Sequence, residues 1–258
     1  MADSLTFAIQ PDAETVSLSL FAKSVEDIRR LVRDVDYAVT RQRKGRRWII
    51  SQLRSSYLTM TIKPMLDGTD TVDAIATGLR IVTAGVSVEP PPHFSADALD
   101  DLLGMRRLFS GRDRARRVIC SSDETEIATI DRGTAEKVER ILRGTYTVLG
   151  SLEGTLDAIN VHGAGRFTIW DRLSGHPVRC TFPKESAWVQ RVKDLLQTRV
   201  LVVGEVSYFS NGAPRSITRI REIRDMTPDP SLPRARFGSI PDLTGGKEPG
   251  EYLRSMRE

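Results

Sequence analysis

The chain has 258 residues, 40% of them hydrophobic and 28% charged, an ordinary balance for a folded protein with room for two domains. No apolar run approaches the ~18 residues of a membrane span, and Met1-Ala-Asp-Ser-Leu-Thr lacks the basic start and apolar core of a signal peptide, so a cytoplasmic location and no membrane partner are expected. Cys120 and Cys180 stand far apart in strand-like runs, which argues against a disulfide scaffold or a zinc site, and a net charge of +4 permits nucleic-acid binding without demanding it.

The basic surplus gathers in Arg41 to Arg47 and Arg106 to Arg117, each readable as a solvated loop or as a phosphate-contacting patch. Residues Leu5 to Ile9 read as a strand. A helix then runs to about Val39, with Phe21, Val25, Ile28, Val32, Val35 and Val39 at helical spacing. Its start is open: Val16, Leu18 and Leu20 alternate like a strand, and Ser24 with Asp27 makes an N-cap pair for a later start. Strands Arg47 to Leu53 and Tyr57 to Lys63 follow, ended by Pro64 and Asp67-Gly68. Thr69 to Thr83 is helical, with Val72, Ile75, Leu79 and Val82 on one face. After Pro90-Pro91-Pro92, Ser95 caps a helix carrying Leu99, Leu102 and Leu103. A hairpin, Arg117 to Cys120 and Glu126 to Ile130, leads to a helix around Thr134 to Leu142. Residues 1–143 are therefore expected to form a mixed α+β domain.

From Thr145 to Val161 a long strand pattern contains Gly150 and Gly154, and glycine inside a strand marks a bulge or sharp bend. Strands Arg166 to Asp171 and Val178 to Phe182 follow, joined by Ser174-Gly175-His176-Pro177. A helix is expected over Glu185 to Gln197, with Trp188, Val189, Val192, Leu195 and Leu196 as its apolar side. Strands Arg199 to Phe209 and Ser216 to Ile223 close the region around Asn211-Gly212, a strong hairpin signal. Five strands with one helix between the third and fourth resemble the oligonucleotide/oligosaccharide-binding (OB) barrel. The predicted fold is thus an α+β domain (1–143), a small five-stranded OB-like barrel (144–226) and an extended tail (227–258).

No catalytic machinery is legible. His93, His162 and His176 fall in predicted loops without a Cys, Asp or Glu at metal-ligand spacing. Gly163-Ala-Gly165 has Thr168 where a third glycine of a phosphate loop belongs, and it leads into a strand. Asp97, Asp100 and Asp101 cluster at a helix start, where they favour the helix dipole. No enzyme activity, metal or cofactor is predicted. The barrel offers a binding face instead. Alternation puts Arg166, Thr168 and Trp170 on one side, with Arg179 and Thr181 beside them on the next strand. A ring with two guanidiniums suits single-stranded nucleic acid, as stacking platform and phosphate partners. Against this, Glu153 and Asp157 would share that face and pair with Arg166 and Arg179, and Trp170 would serve equally to cover the core or to meet another domain.

From Thr227 the character changes. Pro228, Pro230, Pro233 and Pro241 with Gly238, Gly245, Gly246 and Gly250 make residues 227–250 an extended linker. Glu251 to Glu258 then has two helical turns' worth of residues with Tyr252, Leu253 and Met256 as an apolar stripe, read as a docking segment, a frayed terminus or a helix packed on its own domain. Ser239-Ile-Pro-Asp-Leu-Thr-Gly-Gly and Glu251-Tyr-Leu-Arg-Ser-Met-Arg resemble the C-terminal tails of bacterial antitoxins that neutralise PIN-domain ribonucleases. That resemblance covers about 20 residues, and the small N-terminal DNA-binding domain usual in such antitoxins is not evident in this chain. It implies a non-catalytic regulator whose partner is a PIN-domain ribonuclease toxin. Tyr252, Leu253 and Met256 would be anchors, and Arg254 or Arg257 would enter the acidic metal site, where a guanidinium can stand in for the cation.

Overall fold

Alternation in Leu5-Thr-Phe-Ala-Ile sends Leu5, Phe7 and Ile9 to one face of strand β1 (Leu5–Pro11), and all three are fully buried. The computed structural model describes residues 3–42, 45–54, 58–143, 145–161, 164–183 and 185–227. The expected strand start at Tyr57 and His162 lie outside them, as do Tyr252, Leu253, Arg254, Met256 and Arg257 of the tail. β1 is the centre of an antiparallel sheet ordered β2-β3-β1-β4-β5, with β2 (Trp48–Arg54), β3 (Thr59–Pro64), β4 (Ala115–Ser122) and β5 (Thr125–Ile130). Helices α1 (Leu18–Thr40), α2 (Thr69–Ala84), α3 (Ala96–Gly104) and α4 (Arg132–Arg143) pack with it around one core, which includes Ile28, Val35, Ile75, Leu79, Leu99 and Ile141. Residues 1–143 are thus α+β, as the period of their apolar residues predicts.

The ambiguous start of α1 resolves at Ser17, whose Oγ accepts from Leu20 N at 3.1 Å. Ser24 is therefore mid-helix, and its hydroxyl donates back to Leu20 O at 2.8 Å. Asp27 is equally no cap: it is buried and held by Arg107. The run Arg106 to Arg117 is an exposed loop only over residues 110–114. A 3-10 helix, Met105–Phe109, buries Met105, Leu108 and Phe109 under the basic side chains. Arg106 bonds to Glu139 at 3.5 Å and Arg114 to Asp12 at 2.7 Å. Carboxylates answer Arg106, Arg107 and Arg114, whereas Arg117 binds the Gln10 amide at 2.6 Å and Arg112 and Arg116 are exposed. In the other basic run, Arg46 binds Asp70 at 2.7 Å and Asp36 at 3.4 Å, tying β2's approach to α1 and α2.

The second sheet is also five-stranded: β6 (Tyr146–Asn160), β7 (Gly165–Asp171), β8 (Pro177–Phe182), β9 (Arg199–Tyr208) and β10 (Pro214–Asp225), ordered β10-β8-β7-β6-β9. β9 pairs with both β6 and β10, so the ladder returns to its start. Only β8 and β10 run parallel. Helix α5 (Ser186–Asp194) lies between β8 and β9 in sequence, and Val192 and the following Leu195 enter a core with Leu152, Phe167, Ile169, Val202 and Ile217. It stops short of the expected Gln197, because Gln197 N donates to Leu156 O of β6 at 2.7 Å. Cys120 and Cys180 are free thiols, each buried in a different one of the two cores. Phe209, just beyond β9, belongs to the first core, and residues Met1–Met226 make one compact unit. Among the described residues no helix is long and apolar enough to cross a membrane.

β6 is unbroken across its glycines, and they differ in role. It meets β9 from Tyr146 to Thr155 without a register shift, and β7 from Gly154 to Asn160 with one shift, between Leu156 and Ala158. The bulge thus falls at Asp157, not at a glycine. Gly150 leaves ordinary space for a Cβ (3.6 Å to Val206 Cγ2), whereas a Cβ at Gly154 would collide with the Trp170 carbonyl. Gly154 is where one strand acquires two neighbours, and only hydrogen fits between the backbones. Gly154→Ala should cost about 1–3 kcal/mol and Gly150→Ala markedly less. Chemical denaturation of the two variants checks this.

Candidate functional site

The predicted alternation on β7 and β8 holds. Phe167, Ile169, Val178, Cys180 and Phe182 point into the core, while Arg166, Thr168, Trp170, Arg179 and Thr181 are exposed or half-buried on the other side. That outer face does not stand open along its whole length, because α1 and α3 lie over part of it. Tyr37 of α1 donates its hydroxyl proton to Asp157 Oδ2 at 2.6 Å, and its ring meets the Trp170 ring edge-on at 4.9 Å. Arg179 is paired with Asp97, and with Asp100 at 3.1 Å, both on α3. The aspartates read as helix-dipole partners therefore also bind across to the barrel. Asp157 pairs with neither Arg166 nor Arg179, and Glu153 binds Arg172 at 3.2 Å and also Arg199. Arg166 is exposed and, with Thr168 and Arg179, lines a cleft of about 770 Å3 beneath Arg33, Asp34, Asp97, Asp100 and Asp101. Four carboxylates against three guanidiniums make this cleft a poor receptor for phosphates.

Trp170 borders a second cavity, of about 380 Å3, which none of those four acids lines. Its walls are Arg41, Arg172, Arg199, Glu153, Gly154, Thr155 and the β7–β8 turn at Asp171 and Gly175. Arg41 reaches it because α1 ends there: Arg41 is the C-cap, at φ 56°, and its N–H donates to Tyr37 O at 3.0 Å. A left-handed arginine is strained by about 1 kcal/mol, which the guanidinium's position 5.7 Å from the centroid of the Trp170 ring helps to offset. The Asp171 carboxylate is occupied inside the turn, accepting from Ser174 N at 2.7 Å. Three guanidiniums thus face one available carboxylate, Glu153, which Arg199 and then Arg172 hold below the usual carboxylate range. Trp170 Nε1 is buried with no acceptor among the described residues, an omission that costs about 1–3 kcal/mol unless a water or ligand fills it.

The sequence pattern had singled out Trp170, Arg166, Thr168 and Arg179, and the fold separates them. Trp170 lines the 380 Å3 cavity, Arg166 and Thr168 line the acidic cleft, and Arg179 is neutralised there. Arg172 and Arg199 drew no notice because they flank strands, and Arg41 only as part of a basic run. His93 and His176 come together, ring centroids 6.2 Å apart, with each Nδ1 buried and without a partner among the described residues. Burial, then His93 and Arg41, push His176 below its ordinary value, favouring the neutral imidazole. Among the described residues no three His, Cys, Asp or Glu side chains group closely enough to hold a metal ion.

No protein-family model matches this chain, and no curated protein does. Among solved structures it is similar to "OBody AM3L15 bound to hen egg-white lysozyme", at 16% identity over 34% of this chain and 83% of that one, with a TM-score of 0.25. A likeness that low carries no argument.

In the acidic cleft, Asp101 Oδ2 is buried and receives no hydrogen bond among the described residues. Burial, and next the facing Asp34 carboxylate, push Asp101 up to about 7 against the pull of Arg33 and Arg30. The folded chain then keeps a proton there that the unfolded chain releases near the ordinary aspartate value of 3.8. This group's stabilising effect is complete below that value and is lost as pH rises through about 7. Asp101→Asn should therefore gain stability relative to the parent between pH ~5 and ~8, read as a melting-temperature difference that widens with pH.

Proposed function

We propose that this protein is a non-catalytic binding protein whose second sheet is an OB-like barrel that takes single-stranded nucleic acid at the Trp170 cavity. The strand order supports the barrel reading. Numbered within the barrel, the pairings run 1-2-3-5-4-1 with the helix between strands 3 and 4, the order of that fold. The observation that carries the ligand is the cavity itself: an indole stacked by the exposed Arg41, with Arg172 and Arg199 alongside and one carboxylate among them. Bases stack on indole and guanidinium planes, phosphates take the remaining charge, and the orphaned Trp170 N–H offers a donor. In this reading Arg41, Arg172 and Arg199 take the phosphate role that strand alternation alone assigns to Arg179, and Arg166 and Thr168, which line the acidic cleft, take no part.

Fluorescence anisotropy with short oligonucleotides at low salt tests this. Trp170→Ala should weaken binding by about 1–3 kcal/mol, and Arg172→Ala or Arg199→Ala should each reduce the salt slope by about one. Failure of the parent protein to bind any oligonucleotide sinks the proposal.

A second reading concerns the tail, and rests on its residues. Tyr252, Leu253 and Met256 as anchors, with Arg254 and Arg257, would dock on a protein partner of the PIN-domain ribonuclease kind, making the chain antitoxin-like. It is favoured by a compact unit that ends at Met226, where Met226 N donates to Arg199 O at 2.7 Å and finishes the β10 edge. A chain ending at Met226 should keep its melting temperature and lose the partner. Retention of the partner by the shortened chain in a pull-down rules the tail out.

A further inference from the structure

Two imidazoles meet where the β7–β8 turn touches the loop between α2 and α3. His93 stands in that loop two residues before the Ser95 cap, and His176 closes the turn just before Pro177. Their ring centroids are 6.2 Å apart with the planes crossed at 83°, and each Nδ1 is buried with no partner among the described residues. The backbone holds both residues in place. His93 adopts φ 64°, a left-handed conformation uncommon outside glycine. Its neighbour Phe94 is buried and donates its N–H to Pro91 O at 3.1 Å. His176 donates its N–H to Ser174 Oγ at 3.3 Å and accepts at its carbonyl from Asp171 N at 3.0 Å.

Such a pair is stable only while both rings are neutral. A neutral imidazole can leave Nδ1 as the bare lone-pair nitrogen, whereas an imidazolium carries a proton on both nitrogens. A buried N–H with no acceptor forfeits the hydrogen bond that water would give it. The surrounding charges act in the same direction. His176 feels His93 from the loop before α3, Arg41 from the end of α1 and Asp171 from its own turn. Of these only Asp171 favours the charged ring, and its carboxylate already accepts from Ser174 N.

The same turn supplies Asp171, Arg172 and Gly175 to the Trp170 cavity, and Arg41 lies so close that a Cβ at Gly175 would meet its Nη2 at 2.6 Å. Arg172 N donates to Glu153 O of β6 at 2.9 Å, so the turn is bonded to the barrel at one end and rests on His93 at the other. We infer that His93 and His176 form an acid-released catch: while both are neutral the β7–β8 turn rests on the loop before α3, and a proton on either ring drives them apart and frees the Arg172 side of the Trp170 cavity. His176 titrates near 6.5 when released and lower when caught, so the contact's stabilising effect is complete above about 6.5 and is lost as pH falls below it. Asp101 works in the opposite sense, gaining effect on acidification. The catch needs no ligand, and only its consequence for oligonucleotides rests on the function proposed above.

Hydrogen exchange followed by NMR on the full chain at pH ~7 and ~5.5 tests this. In the parent, protection of the Arg172, Ser174 and Gly175 amides should fall on acidification by up to about tenfold, the limit for one ring taken a pH unit below 6.5. Amides of β6 and β9 should show no such fall. His93→Asn, which places a residue tolerant of positive φ there, should remove it. No fall in the parent, a fall shared equally by β6 and β9, or the same fall in His93→Asn overturns the inference. Should His93→Asn unfold, the imidazole resonances of the parent decide: His176 titrating at or above 6.5 overturns it, and titrating below 6.5 with the fall confined to the turn supports it. Oligonucleotide binding is measured separately, so a parent that binds none removes the proposed function and leaves the catch to be decided by exchange.

Discussion

Five strands that close into a ring must each serve two neighbours, and on β6 the exchange of one neighbour for the other falls at Gly154 and Thr155. The Trp170 carbonyl passes so close that no side chain fits between, so β7 is drawn against β6 at the end of its ladder. Much else follows from that approach. Trp170, fixed at the backbone, turns its indole outward to where α1 ends, and the Asp157 bulge three residues further on aims its carboxylate at Tyr37. The cavity floor is Gly154 itself, with Thr155 beside it. A single backbone contact thereby sets the barrel's closure, the ring that faces the cavity and the hydroxyl that ties the first sheet's helices to the second sheet.

Charge placement divides the two cavities. In one, α1 and α3 bring Asp34, Asp97, Asp100 and Asp101 over the barrel and neutralise Arg179. In the other, three arginines from the α1 cap, the β7–β8 turn and the start of β9 converge with one carboxylate. A modest net charge conceals this asymmetry, since acids and bases nearly cancel over the chain while remaining segregated between the two cavities.

Local order was largely legible in the sequence. Period-2 alternation found β1, β7 and β8, helical spacing found α2, and Ser95 marked the start of α3. What escaped was whatever depends on distant residues. Ser24 with Asp27 imitates a cap, but Ser17 wins because Leu18 to Phe21 continue the helix, and Asp27 is wanted by Arg107, 80 residues away. The Arg106 to Arg117 run hid Met105, Leu108 and Phe109 behind its charges. For the site, the face of Trp170 could be assigned by parity. That α1 and α3 would cover half of it could not, because nothing local in Asp97 or Asp100 reveals a pairing with Arg179.

The two cysteines give the fold an internal means of reporting on itself. Cys120 lies in the first core and Cys180 in the second, both inaccessible, with burial pushing the Cys120 thiol up to about 12 and the Cys180 thiol well above its ordinary value. Neither can present a thiolate until its own surroundings part, so alkylation at each position times the opening of one core. Phe209 connects the two clocks. It leaves the barrel's β9 to pack among the residues of the first core, so an excursion that opens the first core also frees a residue that anchors the β9–β10 turn. Labelling at Cys120 and Cys180 would then keep step to the extent that Phe209, with the Tyr37–Asp157 and Arg179–Asp100 contacts, couples the halves, and the ratio of the two rates reports that coupling without any mutation.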